Sequence, residues 1–269
     1  MAATLAFLKG RSIMIYNRFD VKDRVVLITG AGQGIGRAYA KAFAETGAIS
    51  VIAELNGDNA KSVANEIKDA GHRAYAIQTD VGDPASVQSA AKETIAKFSK
   101  VDVLINNAAI FTPLERRPFY EIPLEEWDEV MKVNVTGCFL AARAVVPSMI
   151  ENRSGSIINI SSSTVPMGLP LFMHYVTSKA AVAGMTRVMA KELGAHDIRV
   201  NAVMPGLTET EVANVGRTDE LVSRIVDTQS IKRVETPEDL VGLLMFLASP
   251  ASSFITGQSI IVDGGIAFS

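Results

Sequence analysis

The chain has 269 residues, 48% of them hydrophobic and 20% charged, which suits one soluble globular domain with a sizeable core. A net charge of -3 with a pI near 5.7 excludes the concentrated basic footprint of a nucleic-acid-binding protein. The single Cys138 excludes an internal disulfide, and His72, His174 and His196 are too scattered for metal-ligand spacing, so we expect an organic site, no metal and a reducing, cytoplasmic setting.

No uninterrupted apolar run of membrane-spanning length occurs, and no membrane partner is expected. Residues 1–20 carry Lys9, Arg11 and Arg18 with no acid before Asp20, a loose likeness to a targeting peptide that lacks its charged head and long apolar stretch. We read them as a dispensable N-terminal extension, or an over-long start ahead of Met14, and 21–269 as the folded domain.

Val25-Val26-Leu27-Ile28 is a β-branched run between charges and glycines, the pattern of a fully buried parallel strand. It leads into Thr29-Gly30-Ala31-Gly32-Gln33-Gly34-Ile35-Gly36, and 37–45 reads as a helix. Strand, glycine turn and helix present bare backbone N–H groups that attract phosphate. The spacing Gly-x3-Gly-x-Gly differs from the usual G-x-G-x-x-G. The next strand, 49–53, ends in Glu54, eighteen residues past Gly36. A carboxylate there can hold both ribose hydroxyls, yet it repels a 2′-phosphate of charge about -2. With lost hydrogen bonds of roughly 1.5–3 kcal/mol, that favours NAD over NADP by about two to three orders of magnitude.

The alternation continues with helix 59–69, strand 73–78 and helix 85–98, the last entered through Asp83-Pro84 as cap and first position. Asp80-Val81, past the third strand, can meet an adenine edge. Strand 103–105 is followed by Asn106-Asn107-Ala108-Ala109, whose amides and small side chains suit cross-strand hydrogen bonding at the carboxyl end where such sheets bind ligands. Arg116-Arg117 either greets an anion or is solvated. Residues 124–150 form one long helical pattern around Asn134, a poor mid-helix residue that needs a packing hydrogen bond or a role in the site. Cys138 reads as a small core residue. Strand 156–160 ends in Ser161-Ser162-Ser163.

Tyr175-Val176-Thr177-Ser178-Lys179, if helical, sets a phenol and an ammonium four residues apart on one face, with roots about 5–6 Å apart. Using a tyrosine as a base near neutral pH requires stabilising its phenolate by roughly 3–4 kcal/mol. A cation at about 4 Å, in an effective dielectric near 20, supplies up to about 4 kcal/mol. An amphipathic helix with a solvated lysine would look the same, so the rest of the chain decides. Strand 200–204 runs into Pro205-Gly206, and 207–228 is polar with little periodicity, which reads as a mobile lid. Thr236-Pro237 opens a helix to 247, and 259–262 is a seventh strand before Asp263-Gly264-Gly265. Strand–helix alternation throughout predicts one α/β domain, a doubly wound parallel sheet with helices on both faces.

Together TGAGQGIG at 29–36, DV at 80–81, NNAA at 106–109, Asn134, NISS at 159–162, YVTSK at 175–179, PGLTET at 205–210 and ITGQSIIVDGG at 255–265 resemble the short-chain dehydrogenase/reductase family. The usual NNAG is NNAA here. The resemblance implies a Rossmann-type fold of strand order 3-2-1-4-5-6-7, NAD as cofactor and a homotetramer packed through the long helices after strands four and five and the C-terminal strand. It implies that Ser162 polarises the substrate oxygen, with Ser161 and Ser163 as rivals, and that Tyr175 passes the proton. Lys179 would lower the Tyr175 pKa and hold the nicotinamide ribose, and Asn134 would position a water leading to solvent. Thr210 would meet the carboxamide. Gly30, Gln33, Gly34, Ile35, Gly36, Glu54, Asp80, Val81, Asn107, Ala108, Pro205, Gly206 and Thr208 would form the rest of the dinucleotide site.

The expected activity is hydride transfer between NAD(H) and a small hydrophobic secondary alcohol or ketone, with Thr164, Val165, Met167, Leu169, Phe172, Ile110 and Phe111 as candidate substrate wall. The region around Ser163-Thr164 and His174-Tyr175 looks like bacterial aryl-alkyl alcohol dehydrogenases of the family. An NADPH-dependent 3-oxoacyl reductase is the alternative, and a non-catalytic dinucleotide-binding scaffold a remote one.

Overall fold

Successive residues of the first strand face opposite ways, and that alternation splits the core into two layers. In the computed structural model, which describes residues 18–112, 114–212 and 218–268, Val26 and Ile28 belong to one buried cluster, Val25 and Leu27 to the other. A strand that is apolar on every residue must be covered on both faces.

The strands are β1 (Val25–Thr29), β2 (Ile49–Glu54), β3 (Arg73–Gln78), β4 (Val103–Asn106), β5 (Gly155–Ile160), β6 (Ile198–Pro205) and β7 (Ser259–Val262). They form one parallel sheet of order β3-β2-β1-β4-β5-β6-β7, as the resemblance implies. Helices α1 (Gly34–Glu45) and α2 (Gly57–Asp69) cover one face; α3 (Pro84–Phe98) covers the other. Asn56 caps α2 and Asp83 caps α3, each side chain accepting two backbone N–H bonds.

The long helical pattern at 124–150 is α4 (Leu124–Met131), a π-helical turn (Lys132–Thr136) and α5 (Gly137–Glu151). Asn134 sits in the π turn, which a 3.6-residue period cannot reveal. By length and composition the run Leu124–Glu151 could cross a membrane, but 56% of its most apolar window is buried inside the protein. Leu140, Ala141, Val145 and Met149 join the core, the role of a sheet-covering helix. After β5 come a short α6 (Thr164–Met167) and the long α7 (Met173–Leu193).

Residues 207–228 differ from the expected irregular segment: Asp219–Thr228 is a helix, α8, capped by the Thr218 side chain on Leu221 N–H. Leu221, Val222, Ile225 and Val226 make its apolar stripe, a pattern too short to stand out among polar neighbours. Residues 213–217 of the expected lid lie outside the described residues. Helix α9 (Pro237–Ala248) starts in a capping box between Thr236 and Asp239 and buries Leu240, Leu244 and Leu247. Of the expected N-terminal extension, residues 1–17 lie outside the described residues, while Arg18 and Phe19 dock on the body. Arg18 donates to Ser253 Oγ at 2.9 Å, and Phe19 packs on Phe246.

Candidate active site

The strand order reverses beside β1, and the carboxyl ends of β1 and β4 open there into a cleft of about 540 Å³. Helix α1 points its N-terminus into this cleft with no side-chain cap from Gln33 and no acid in its first turn. The carboxylate of Glu211 meets that terminus instead, accepting from Gly34 N–H at 3.1 Å. An anion bound there is what an uncapped N-terminus favours. The unusual glycine spacing follows from close packing. Gly30, at φ +63°, leaves no room for a Cβ, which would lie 2.7 Å from Ala108 Cα. A Cβ on Gly36 would lie 2.2 Å from Gly30 O.

The two amides of NNAA do the cross-strand work expected of them. Asn106 donates to Asn159 Oδ1 at 2.9 Å, and Asn159 passes the chain to Thr186 at 2.9 Å. Asn107 donates to the carbonyls of Thr29 and Gly30 at 3.1 and 3.0 Å, locking the glycine turn onto the end of β4. Glu54 Oε2 accepts from Gly32 N–H at 3.0 Å and Oε1 from Asn56 N–H at 3.2 Å, so its carboxylate borders the cleft in a fixed position. Each oxygen keeps a lone pair for a ligand hydroxyl.

Every residue expected to hold the dinucleotide lines this cleft: Gly30, Gln33, Gly34, Ile35, Gly36, Glu54, Asp80, Val81, Asn107, Ala108, Pro205, Gly206, Thr208 and Thr210. The α1 N-terminus without a side-chain cap from Gln33 and the glycine packing fit a bound pyrophosphate, which would take the place that the Glu211 carboxylate fills as a stand-in anion.

Tyr175 and Lys179 lie one turn apart on α7, both buried. Of the three serines, Ser162 is the one whose hydroxyl reaches the phenol. Ser161 donates to Lys179 O at 2.8 Å, and Ser163 turns to Met167 Sδ at 3.8 Å. Thr164 donates its hydroxyl to Ser162 Oγ at 3.0 Å, leaving the Ser162 proton for a partner in the cleft.

The electrostatics of the pair are dominated by burial. Lys179 Nζ donates to Ile160 O at 2.8 Å and sits 5.6 Å from the Tyr175 ring centroid. Burial pushes the phenol well above its ordinary range, with the Ser162 contact opposing. Burial likewise brings the Lys179 ammonium down to about 8. Burial is the largest cause for both groups, and it disfavours the phenolate and the ammonium alike.

Asn134 has the packing reason its placement demanded. Its side chain accepts from Ile110 N–H at 2.7 Å, and donates to Ile110 O at 3.2 Å and Ser178 Oγ at 3.1 Å, tying the β4 loop to α7. Between it and Lys179 is a void of about 10 Å³, bordered also by Cys138 and Ile160, about the space of one water. Cys138 is buried, and burial pushes its thiol up to about 12, in keeping with a core role.

Ile110, Phe111, Thr164, Met167 and Leu169 form the expected wall. Val165 does not line the cleft, and Phe172 stands behind it, packed on Phe111 at 5.8 Å and Tyr175 at 5.0 Å. Leu221 and Ile225 of α8 complete the wall, and their four-residue spacing was the available signal. Glu235 gives no sequence signal: buried, it accepts from Gly206 N–H at 3.0 Å and Thr208 Oγ1 at 2.8 Å, clamping the loop after β6.

Comparison with known proteins agrees with this geometry. The family described as Enoyl-(Acyl carrier protein) reductase matches residues 30–267. The chain is 37% identical over 249 residues to the probable galactose dehydrogenase of Rhizobium meliloti, covering 92% of this chain and 96% of that one. A short-chain type dehydrogenase/reductase from Mycobacterium marinum superposes with a TM-score of 0.86 at 36% identity, covering 94% of this chain and 98% of that one. The 3-ketoacyl-(acyl-carrier-protein) reductase of Brucella melitensis, solved with NADH, gives a TM-score of 0.84 at 34% identity, covering 92% and 99%. The parallel sheet, the dinucleotide cleft and these likenesses together make the chain a member of the short-chain dehydrogenase/reductase family of oxidoreductases.

Proposed function

We propose that the protein is an NAD-dependent dehydrogenase of a secondary alcohol, or reductase of its ketone. The observation that carries this reading is the convergence of Ser162, Tyr175 and Lys179 on one wall of a cleft whose other end is built for a dinucleotide. Glu54 supports NAD: its carboxylate, held by Gly32 and Asn56 at the cleft, would repel a 2′-phosphate brought beside it.

NAD, when bound, supplies a hydride acceptor and a positive charge. Ser162 donates its hydroxyl proton to the substrate oxygen and steadies the charge that develops there. Tyr175, as phenolate, takes the alcohol proton; in the reducing direction its phenol returns it. Lys179 lends the phenolate a buried cation. Asn134 borders a one-water void next to Lys179, a route for the proton toward solvent. Thr210, which lines the cleft, is our assignment for the carboxamide contact, and Thr208, held by Glu235, fixes that loop. Leu207, Leu221 and Ile225 border the same cleft and support a cover over it.

A homotetramer is supported by apolar side chains exposed on the two long helices, Phe139 at 45% and Val188 at 57%, and light scattering of the purified chain tests it. The second reading, a 3-oxoacyl reductase, is favoured by the likeness to the Brucella melitensis enzyme. A screen of alcohols and ketones read by dinucleotide absorbance, beside affinities for both dinucleotides, separates the two. Turnover of simple alcohols with NAD supports the first reading; tighter NADP(H) binding with turnover confined to 3-oxoacyl thioesters overturns it.

A further inference from the structure

Arg116 and Arg117 are neighbours in sequence, yet the fold treats them oppositely. The Arg117 guanidinium lies 3.1 Å from Glu115 and 3.7 Å from Glu126, and its backbone N–H donates to Leu171 O at 3.0 Å. Glu126 in turn reaches the buried His174 at 3.2 Å. This cluster pins the loop to the start of α7. Arg116, one residue earlier, is not part of this cluster and lines the cleft instead.

Arg116 lines the substrate end of that cleft, its guanidinium carbon 5.9 Å from the centre of the Phe172 ring, which lies 5.0 Å from the Tyr175 ring. Among the described residues no carboxylate stands within ion-pair distance of it, and the surrounding wall is apolar or hydroxylic. The other cation among the described lining residues, Lys179, is committed to Ile160 O. Glu129, on the same cleft, is engaged by Lys132 at 3.7 Å. A cation two ring contacts from the reacting phenol, without a counter-ion of its own, matches a charge brought by the substrate.

We propose that Arg116 binds a carboxylate of the substrate, so that the molecule presented to Tyr175 is a hydroxy acid or oxo acid with an apolar body. The inference rests on the reading of Tyr175 as the proton-transfer group. A guanidinium fork fits a carboxylate bidentately, and one fork without further cations suits a monoanion better than a phosphate dianion. The Phe172 ring lies within cation–π range of the guanidinium, which is otherwise exposed to solvent. A thioester on a carrier protein brings no such charge next to its reacting carbonyl.

The test uses matched alcohols: 4-(1-hydroxyethyl)benzoate, its methyl ester and 1-phenylethanol, each oxidised with NAD by the full chain and by Arg116→Gln and Arg116→Lys. The expected kcat/KM for the acid exceeds that for the ester by about 10- to 100-fold, carried by KM. Arg116→Gln should bring that ratio near one, and Arg116→Lys should restore part of it. Equal rates for acid and ester in the natural chain, or a ratio untouched by Arg116→Gln, overturn the proposal. Calorimetric binding of the unreactive 4-ethylbenzoate gives a readout free of turnover. Binding weakened about 10-fold or more by Arg116→Gln supports the carboxylate site even if none of the three alcohols is oxidised, a result that would count against the dehydrogenase reading alone. No loss of affinity overturns the site.

Discussion

Replacing Glu54 by alanine tests the assignment of cofactor. The carboxylate is fixed by two backbone donors, Gly32 N–H at 3.0 Å and Asn56 N–H at 3.2 Å, and has lone pairs free for two ribose hydroxyls. Hydrogen bonds to a charged acceptor contribute about 1.5–3 kcal/mol, so NAD should bind about 10- to 100-fold more weakly to Glu54→Ala. NADP should gain, because the repulsion between the carboxylate and a 2′-phosphate is gone. The opposite movements narrow a preference of about two to three orders of magnitude to about tenfold or less. Equilibrium titration of both dinucleotides against natural and variant chains measures the ratio directly. A ratio that does not change would refute the role given to Glu54, whatever the absolute affinities do.

Two further outcomes follow from buried polar groups. Burial raises the Glu235 carboxyl from 4.5 to about 7, with Asp239 and Asp263 adding to it and the bonds from Thr208 and Gly206 opposing. An acid raised in the folded state contributes stability that is complete below about pH 4.5 and is lost as pH rises through 7. Glu235→Gln should remove a loss of up to about 3 kcal/mol between pH 5 and 8, seen as a flatter dependence of urea midpoint on pH; parallel curves for the two chains would contradict this. Asn134→Ala removes three hydrogen bonds, to Ile110 N and O and to Ser178, and should cost about 2–3 kcal/mol of unfolding free energy and lower kcat. A loss of less than about 0.5 kcal/mol in chemical denaturation would show that the π turn does not depend on it.

The seven strands were legible because each is a short apolar run bounded by turn residues, and the helix starts at Asp83-Pro84 and Thr236-Pro237 because caps are local chemistry. Ser162, Tyr175 and Lys179 could be named from spacing and from likeness to a family. What spacing could not give was set by tertiary partners. One extra residue in a helical turn leaves no periodic trace, so the π turn at Asn134 stayed hidden inside a single long pattern. Arg116 and Arg117 are indistinguishable until Glu126 and Leu171 select one of them. Glu235 reads as an ordinary loop acid until Gly206 and Thr208 fold over it. Spacing alone also carries nothing about burial around Tyr175 and Lys179, which acts against both charges and depends on everything packed around them.

Tyr175 is the group assigned to carry the proton. Tyr175→Phe keeps the ring that packs on Phe111 and Phe172 and removes only the hydroxyl. Steady-state oxidation of a secondary alcohol, measured beside NAD affinity on the same preparation, should show kcat reduced by about 10²- to 10⁴-fold with NAD binding nearly unchanged. Turnover at the rate of the natural chain would contradict the account.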